Sequence, residues 1–168
     1  MKVLGVVGYK NCGKTMLIVR LIPELAALGI SVSTIKHVHH AIDLDQPGKD
    51  TFAHREAGAV DVAILSDRRW AILHERPIVS VTASDLDDVL RRLSPVDLVL
   101  AEGFKSLPMP RIELRMGNAL LAPAGDKHTL AVVSDDELDT ALPRFRRDDI
   151  PAIAAFIADF TRPARPST

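Results

Sequence analysis

The stretch Gly8–Thr15 constrains this chain more than any other, because it reads Gly-Tyr-Lys-Asn-Cys-Gly-Lys-Thr. Two glycines at this spacing, followed by a lysine and a hydroxyl residue, fit the phosphate-binding P-loop. Such a loop needs a strand before it and a helix after it. The apolar, β-branched run Val3–Val7 predicts the strand, and the apolar run Met16–Ile22 predicts the first turns of the helix. The sequence therefore predicts a loop that binds a phosphate chain.

The residue types in this loop suit a nucleotide. Backbone N–H groups at a helix N-terminus bind phosphate oxygens, and glycines permit the backbone angles and the close approach that this requires. Lys14 is predicted to reach the β- and γ-phosphates, and the Thr15 hydroxyl is predicted to bind Mg²⁺. Cys12 is predicted to be a small residue fitted beside the phosphates. The predicted nucleotide-binding residues of the loop are Gly8, Lys10, Asn11, Cys12, Gly13, Lys14 and Thr15.

Alternating strand and helix patterns indicate an α/β fold. The first helix is predicted to end at Gly29, and the strand Ile30–Lys36 follows it, which makes a βαβ unit with parallel strands. The apolar runs Val60–Leu65 and Trp70–Leu73 flank a short polar link and predict an antiparallel hairpin. The sequence predicts a P-loop NTPase-like fold: a mostly parallel sheet with helices on both faces and this hairpin at the sheet edge.

The rest of the chain extends the same pattern. Four consecutive apolar residues in Asp97–Gly103 predict a strand buried on both faces. Further strands are predicted at Ile112–Leu114 and Thr129–Val133, and a last helix from Asp148 or Asp149 through Phe160. Residues 1–160 are predicted to form a single nucleotide-binding domain, and residues 161–168 a loose tail.

Carboxylates at strand ends are the candidates for further roles. Mg²⁺ is usually held by one or two carboxylates and by phosphate oxygens, so Glu102 is predicted to join Thr15 as a metal ligand. Asp43 and Asp45 follow the second strand, where either could face the γ-phosphate as a catalytic group or serve as a turn residue. Asp135 ends a late strand, where it could accept hydrogen bonds from guanine or act as a plain turn residue.

Net charge, hydrophobic run length and cysteine content limit the cellular location and the classes of partner that we expect. A formal net charge of −1 gives no general reason to expect binding to nucleic acid or to a membrane. No apolar run approaches the ~18 residues that span a bilayer. The single cysteine excludes an intrachain disulfide, and the first strand begins too early for a signal peptide. We therefore expect a cytoplasmic protein.

Several stretches together resemble the MobB proteins of molybdopterin guanine dinucleotide biosynthesis. The P-loop alone is generic, whereas Pro47–Asp50 combined with Glu102–Lys105 is far more specific. The matching stretches, in the family's order, are Val6–Gly8, Gly13–Thr15, Ile35–His37, His39, His40, Asp43, Asp45, Pro47–Asp50, His54–Ala59, Arg69–Ala71, Leu98–Lys105 and Ser134–Asp135. One departure is Lys10-Asn11-Cys12, which replaces the commoner small residues of the loop. The match is weak after residue 135.

The resemblance implies a dimeric GTP-binding protein that uses Mg²⁺ and acts beside a MobA-type guanylyltransferase. That enzyme transfers GMP from GTP to molybdopterin. The resemblance further implies that the protein acts as an adaptor, which binds GTP and hydrolyses it slowly at most. On this interpretation Lys36, the histidines and Lys105 could face molybdopterin or the partner enzyme.

Two functions of other classes remain open. A P-loop kinase could phosphorylate a small molecule, although such kinases generally carry a lid segment with arginines that this sequence does not display. A metallochaperone GTPase is suggested by His37, His39 and His40, because imidazole is a common ligand of zinc, nickel and copper. Their spacing is not diagnostic of a metal site.

Overall fold

A computed structural model of the chain describes residues 1–38, 44–75, 80–117 and 126–162. Contacts divide the chain into two compact units, Met1–His37 with Ala83–Thr168, and Val38–Thr82. Each unit has its own sheet. The single domain over residues 1–160 stays a prediction, and most of the predicted tail, residues 163–168, lies outside the described residues.

Within the described ranges, the first unit contains a six-stranded parallel sheet. The strands of the chain are β1 (Lys2–Gly8), β2 (Val32–Lys36), β3 (Asp61–Leu65), β4 (Trp70–His74), β5 (Leu98–Glu102), β6 (Arg111–Leu114), β7 (Thr129–Val133) and β8 (Arg144–Phe145). The large sheet has the order β2-β5-β1-β6-β7-β8, and all of its pairings are parallel. The predicted α/β fold with a mostly parallel sheet is confirmed.

Strand register brings the carboxyl ends of the central strands to one edge. Val6 of β1 and Lys36 of β2 both pair with Glu102 of β5. On the other side of β1, Gly8 pairs with Leu114 of β6. Ligands of open α/β sheets bind at this edge. The loop after β1 therefore starts at the edge where ligands are expected.

The described helices of the first unit are α1 (Lys14–Ala27), α3 (Ala83–Leu90) and α4 (Ile150–Thr161), and apolar residues of α1 and α4 pack on the large sheet. The second unit contains α2 (Asp50–Glu56), which buries no side chain. α1 packs against α4 and buries Leu21 and Leu25 at helical spacing, in one core with Leu4 of β1. Each fully buried leucine of this kind stabilises the fold by roughly 1.5–3 kcal/mol. Within the described ranges no helix is long and apolar enough to cross a membrane.

The second face of the sheet is also buried. Val7, Val99 and Val132 alternate with residues of the α1–α4 core, so they point to the opposite face, and each is almost fully buried. Strands buried on both faces explain the continuous apolar runs in the sequence. The short β8 was not predicted, because its two residues carry no strand pattern.

The helix ends follow the sequence signals. Gly29, just beyond α1, has a φ of 77°, which favours glycine. At the start of α4, the carboxylate of Asp149 accepts a hydrogen bond from the N–H of Ala152 at 3.3 Å, so Asp149 is the N-cap. The prediction that Asp148 or Asp149 begins the last helix is confirmed.

The predicted hairpin forms, but it is not an edge of the large sheet. β3 and β4 pair antiparallel and make a separate two-stranded sheet in the second unit. The edge position predicted for it is therefore wrong. The hairpin contacts α2 within its own unit, so it packs there without pairing to the large sheet. A short polar link identifies a hairpin, but it carries no information about which sheet the hairpin joins.

A nearly buried ion pair fastens the amino ends of β6 and β7. The guanidinium of Arg111 pairs with the Asp126 carboxylate at 2.5 Å and donates to the Lys105 carbonyl oxygen at 3.0 Å. Thr129 Oγ1 donates to the same carboxylate at 2.7 Å. Burial alone would raise the pKa of Asp126. The hydrogen bond from Thr129, together with the Arg111 and His128 N–H groups, outweighs burial and lowers that pKa to about 2.

We expect Asp126→Asn to lower the free energy of unfolding at pH 7 by about 2–3 kcal/mol, because it breaks a buried charge pair. The folded-state pKa of Asp126 is below its ordinary value of 3.8, so the stabilisation is present above pH 3.8 and is lost as the pH falls through about 2. The difference between wild type and variant should therefore shrink over that range. Urea unfolding between pH 7 and pH 2 measures it.

The matched control is Asp159→Asn, which removes an exposed carboxylate that pairs with Arg162 at 2.8 Å. Exposed pairs contribute little, so this variant should change the free energy of unfolding by less than about 1 kcal/mol. Equal effects of the two substitutions would contradict a special role for the Asp126 pair.

Candidate functional site

The P-loop has a backbone that only certain residues allow. Gly13 precedes α1 with a φ of 91°, and Asn11 has a φ of 63°. A Cβ on Gly8 would lie 2.4 Å from Cys12 Sγ and 2.8 Å from the Leu114 carbonyl oxygen. The Cys12 side chain is buried against Gly8. Glycine at position 8 is therefore required by close packing, and Gly13 is required by its backbone angle.

Lys14 lies across the loop that precedes it. Its Nζ donates to the carbonyl oxygens of Tyr9 at 2.7 Å and Gly8 at 3.2 Å. The ammonium is thus held at the loop, where the sequence predicts phosphate binding. Lys10 and Asn11 are exposed at the same loop. Their predicted contacts with a nucleotide stay predictions.

The structure brings together the two residues predicted to bind Mg²⁺. Thr15 Oγ1 donates to Glu102 Oε1 at 2.9 Å, and the Glu102 side chain is only 12% exposed. Lys36 Nζ lies 3.4 Å from the same oxygen. A hydroxyl and a carboxylate are oxygen ligands of the kind that Mg²⁺ prefers, so these residues fit the ion. Metal binding by them stays a prediction.

Asp135 lies beside a cavity at the start of α1. The carboxylate accepts a hydrogen bond from the Arg147 backbone N–H at 3.1 Å and forms an ion pair with Arg147 Nε at 3.6 Å. The cavity has a volume of about 210 Å³ and both apolar and charged walls. Its lining residues are Gly13, Met16, Leu17, Arg20, Leu114, Val133, Asp135, Arg147 and Asp148.

Arg147 is a residue of this site that the sequence did not reveal. It follows the short β8, and the family resemblance had faded by residue 135. The arginines of the run Arg144–Arg147 were the available signal. Such a run is usually a solvated surface, so the pattern alone did not single out Arg147.

The other candidates lie elsewhere or outside the described residues. Asp45 belongs to the second unit, where its Oδ1 accepts hydrogen bonds from Thr51 Oγ1 at 2.8 Å and from the Gln46 N–H at 3.1 Å. These contacts are those of a turn residue, and a catalytic role for Asp45 stays a prediction. Asp43, His39 and His40 lie outside the described residues. The ring of His37 stacks on Phe104 with 5.2 Å between centroids.

A parallel sheet with a phosphate loop between its first strand and first helix defines a P-loop nucleotide-binding protein. The comparisons with known proteins are more specific. Residues 3–135 match the family model MobB, molybdopterin guanine dinucleotide synthesis protein B. The chain therefore belongs to the MobB family, and the resemblance found in the sequence is confirmed.

Relatives of known name agree with this family over most of the chain. The molybdopterin-guanine dinucleotide biosynthesis adapter protein of Haemophilus influenzae is 40% identical, with 94% of this chain and 88% of that protein covered. The protein of the same name from Escherichia coli is 36% identical, with 94% and 91% covered. A crystal structure of molybdopterin-guanine biosynthesis protein B is 33% identical with a TM-score of 0.75, and 96% of this chain and 99% of that one are covered.

Proposed function

We propose that this protein of the MobB family is a GTP-binding adaptor in molybdopterin guanine dinucleotide biosynthesis. It would bind GTP together with Mg²⁺ and hydrolyse GTP slowly at most. One observation carries the proposal: the P-loop Gly8–Thr15 ends with a hydroxyl that lies 2.9 Å from the Glu102 carboxylate. Relatives that cover most of the chain are named adapter proteins of this biosynthesis.

The position of Lys14 supports triphosphate binding. Its ammonium is held by neutral carbonyl oxygens of Gly8 and Tyr9. Phosphate oxygens carry full negative charge, so they attract the ammonium by charge–charge interaction in addition to the hydrogen bond, which neutral carbonyl oxygens do not. A triphosphate in the loop would therefore draw the ammonium away from these carbonyls. Backbone N–H groups at the start of α1 would bind the remaining oxygens.

The metal side of the site would be held by Thr15 and Glu102. When bound, Mg²⁺ would neutralise charge on the β- and γ-phosphates. Lys36 pairs with the same carboxylate oxygen of Glu102, so a cation already contacts this group. Asp135 is the proposed acceptor for the N1 and N2 groups of guanine, which would select GTP over ATP.

The contacts of the candidate carboxylates favour holding GTP over hydrolysing it. Glu102 is engaged by Thr15 and Lys36, Asp135 by Arg147, and Asp45 by Thr51. A general base must be available to take a proton from the attacking water. Among the described candidates, Glu102, Asp135 and Asp45 are each engaged by a cation or a hydroxyl group, an arrangement that agrees with an adaptor that holds GTP.

Nucleotide preference tests the proposal. Isothermal titration of the protein with GTP and with ATP, each with Mg²⁺, should show GTP binding at least about tenfold more tightly, because the polar edge of guanine meets a matching acceptor. Removal of Mg²⁺ with a chelator should weaken GTP binding. Equal affinities for the two nucleotides would contradict the proposed guanine selectivity.

The proposed partner is a MobA-type guanylyltransferase, which acts on molybdopterin. Immobilised protein should retain the purified guanylyltransferase, with more retained when GTP and Mg²⁺ are present. A column that retains no enzyme under either condition would contradict the partnership.

Cys12 is a free, buried cysteine, which suits a reducing compartment, and we propose a cytoplasmic location.

A homodimer is proposed from one uncovered face of the hairpin. Pairing of Leu65 with Trp70 and of Ala63 with Ile72 places these side chains on one face. Leu65 is 83% exposed, Trp70 61% and Ile72 47%. Large apolar side chains grouped in this way are typical of a protein–protein interface. A second copy of the same hairpin would cover this face.

We expect Leu65→Lys to convert a dimer to a monomer, because the charge would have to be buried in the interface. Val89→Lys is the control, since Val89 is also exposed but lies on α3. Size-exclusion chromatography with light scattering measures the mass of each protein. A monomeric wild type, or a dimeric Leu65→Lys variant, would contradict the hairpin interface.

A further inference from the structure

Arg147 connects three loops at the carboxyl edge of the large sheet. Its Nη1 donates to the Cys12 carbonyl oxygen in the P-loop at 2.8 Å, and its Nη2 donates to the Arg115 carbonyl oxygen after β6 at 2.6 Å. Its Nε and backbone N–H both face the Asp135 carboxylate after β7. One side chain therefore joins the phosphate loop to the proposed reader of the base.

Strand register explains why Arg147 and Asp135 meet. Val133 of β7 pairs with Phe145 of β8, and the Ser134 N–H donates to the Phe145 carbonyl oxygen at 2.9 Å. Asp135 and Arg147 each lie two positions beyond this pair. Parallel pairing of β7 and β8 therefore places the backbone of residue 147 next to Asp135.

The bond to Cys12 fixes the orientation of one P-loop peptide. A trans peptide is planar, so its carbonyl oxygen and its N–H group point in opposite directions. Because Arg147 holds the carbonyl oxygen of Cys12, the N–H of Gly13 in the same peptide points away from Arg147. Arg147 Nη1 also lies 3.5 Å from the place where a Cβ on Gly13 would stand. The arginine thus controls the direction of a donor in the phosphate loop.

The contacts with Asp135 fix the orientation of a carboxylate that lines the cavity. Oδ1 is held by the Arg147 N–H, while Oδ2 faces Nε at the longer distance of 3.6 Å. A carboxylate with one oxygen held in this way keeps acceptor positions in a constant direction. In Arg147→Ala the backbone N–H would still hold Oδ1, but Oδ2 would lose the Nε contact and could turn towards water.

We infer that Arg147 is a positioning residue that couples phosphate binding to base selection, by orienting both the Cys12–Gly13 peptide and the Asp135 carboxylate. This inference rests on the proposed function, because it concerns the same nucleotide site. An arginine is needed because its planar guanidinium presents donors in several fixed directions. A lysine has a single charged centre and can serve only some of these partners at a time.

The test compares the affinities of GTP, ATP and inorganic tripolyphosphate for wild type, Arg147→Ala and Arg147→Lys. Arg147→Ala should bind tripolyphosphate about threefold to tenfold more weakly and GTP about 30-fold to 100-fold more weakly, as expected for loss of charge-assisted contacts. Its ratio of GTP to ATP affinity should fall below that of wild type, because Oδ2 of Asp135 loses the Nε contact that orients it. Arg147→Lys should recover part of the tripolyphosphate affinity but not the preference for GTP.

Arg146→Ala is the matched control, because Arg146 is the exposed neighbour in the same loop. It should match wild type for all three ligands. Thermal unfolding of each variant shows whether the fold is kept, and a general loosening would weaken GTP and ATP equally without changing their ratio. If wild type prefers GTP and Arg147→Ala keeps the same preference, the role of Arg147 is overturned but the proposed function is not. A wild type without such a preference would overturn the guanine selectivity of the proposed function as well.

Discussion

Replacing Gly8 with alanine is expected to weaken GTP binding by at least about 100-fold and to destabilise the fold by about 1–3 kcal/mol. The added Cβ would lie 2.4 Å from Cys12 Sγ and 2.8 Å from the Leu114 carbonyl oxygen. The sulfur belongs to a buried side chain of the loop, and the oxygen belongs to a sheet strand. The oxygen is held in β6, which pairs with β1 and β7, and the sulfur is buried, so we expect the P-loop itself to shift. A shifted loop no longer presents its N–H groups to the phosphates.

Two further variants separate the contributions to this effect. Gly8→Ala combined with Cys12→Ala removes the contact with sulfur but leaves the contact with Leu114, so GTP binding should recover only in part. Gly29→Ala is the control, because its φ of 77° is unfavourable for alanine but no atom lies within 4 Å of the added Cβ. It should lower stability by about 1 kcal/mol without affecting GTP affinity. Titration calorimetry and urea unfolding measure both quantities, and normal GTP binding by Gly8→Ala would contradict the packing argument.

Removal of the Lys14 ammonium is expected to have the second large effect. Lys14→Ala should weaken GTP·Mg²⁺ binding by about 100-fold or more, because hydrogen bonds to charged groups contribute about 1.5–3 kcal/mol each and Lys14 is proposed to reach two phosphates. In the protein alone Lys14 Nζ donates to the carbonyl oxygens of Gly8 and Tyr9 and contacts Cys12 Sγ at 3.8 Å, and all three partners belong to its own loop. Its loss should therefore change the free energy of unfolding by less than about 1 kcal/mol.

Lys127→Ala is the control for the loss of one positive charge. Lys127 is exposed and precedes β7, so it lies at the amino edge of the sheet, away from the P-loop. Its GTP affinity should equal that of wild type. If Lys14→Ala binds GTP as tightly as Lys127→Ala, then the loop is not the site of the triphosphate.

Local sequence patterns predicted the central part of the fold. The strand, loop and helix from β1 to α1 follow from a periodicity change around a glycine-rich stretch, and all of these lie within a short segment. Glu102 was identified as the residue closing a fully apolar strand, and the structure places its carboxylate against Thr15. This contact was predictable because parallel strands end at the same edge, so residues distant in sequence become neighbours.

Features that depend on tertiary pairing were not predictable in the same way. β8 has only two residues, and its strand character comes from pairing with β7. Arg147 becomes part of the site through that pairing, so nothing in its local sequence marks it. The hairpin was recognised from alternation and a short link, but its membership of a separate sheet depends on contacts within the second unit. The resemblance implies that Lys36 could face molybdopterin or a partner, which stays a prediction, while its ion pair with Glu102 was not predicted.

The most direct test of the proposed function is the rate at which a MobA-type guanylyltransferase forms molybdopterin guanine dinucleotide at limiting GTP. Wild-type protein added to the purified enzyme, molybdopterin and Mg²⁺ is predicted to increase this rate. Lys14→Ala, which should bind GTP poorly, is predicted to give no increase, while Lys127→Ala should act as wild type. A rate that is unchanged by wild type, or raised equally by wild type and Lys14→Ala, would contradict an adaptor that works by binding GTP at this loop.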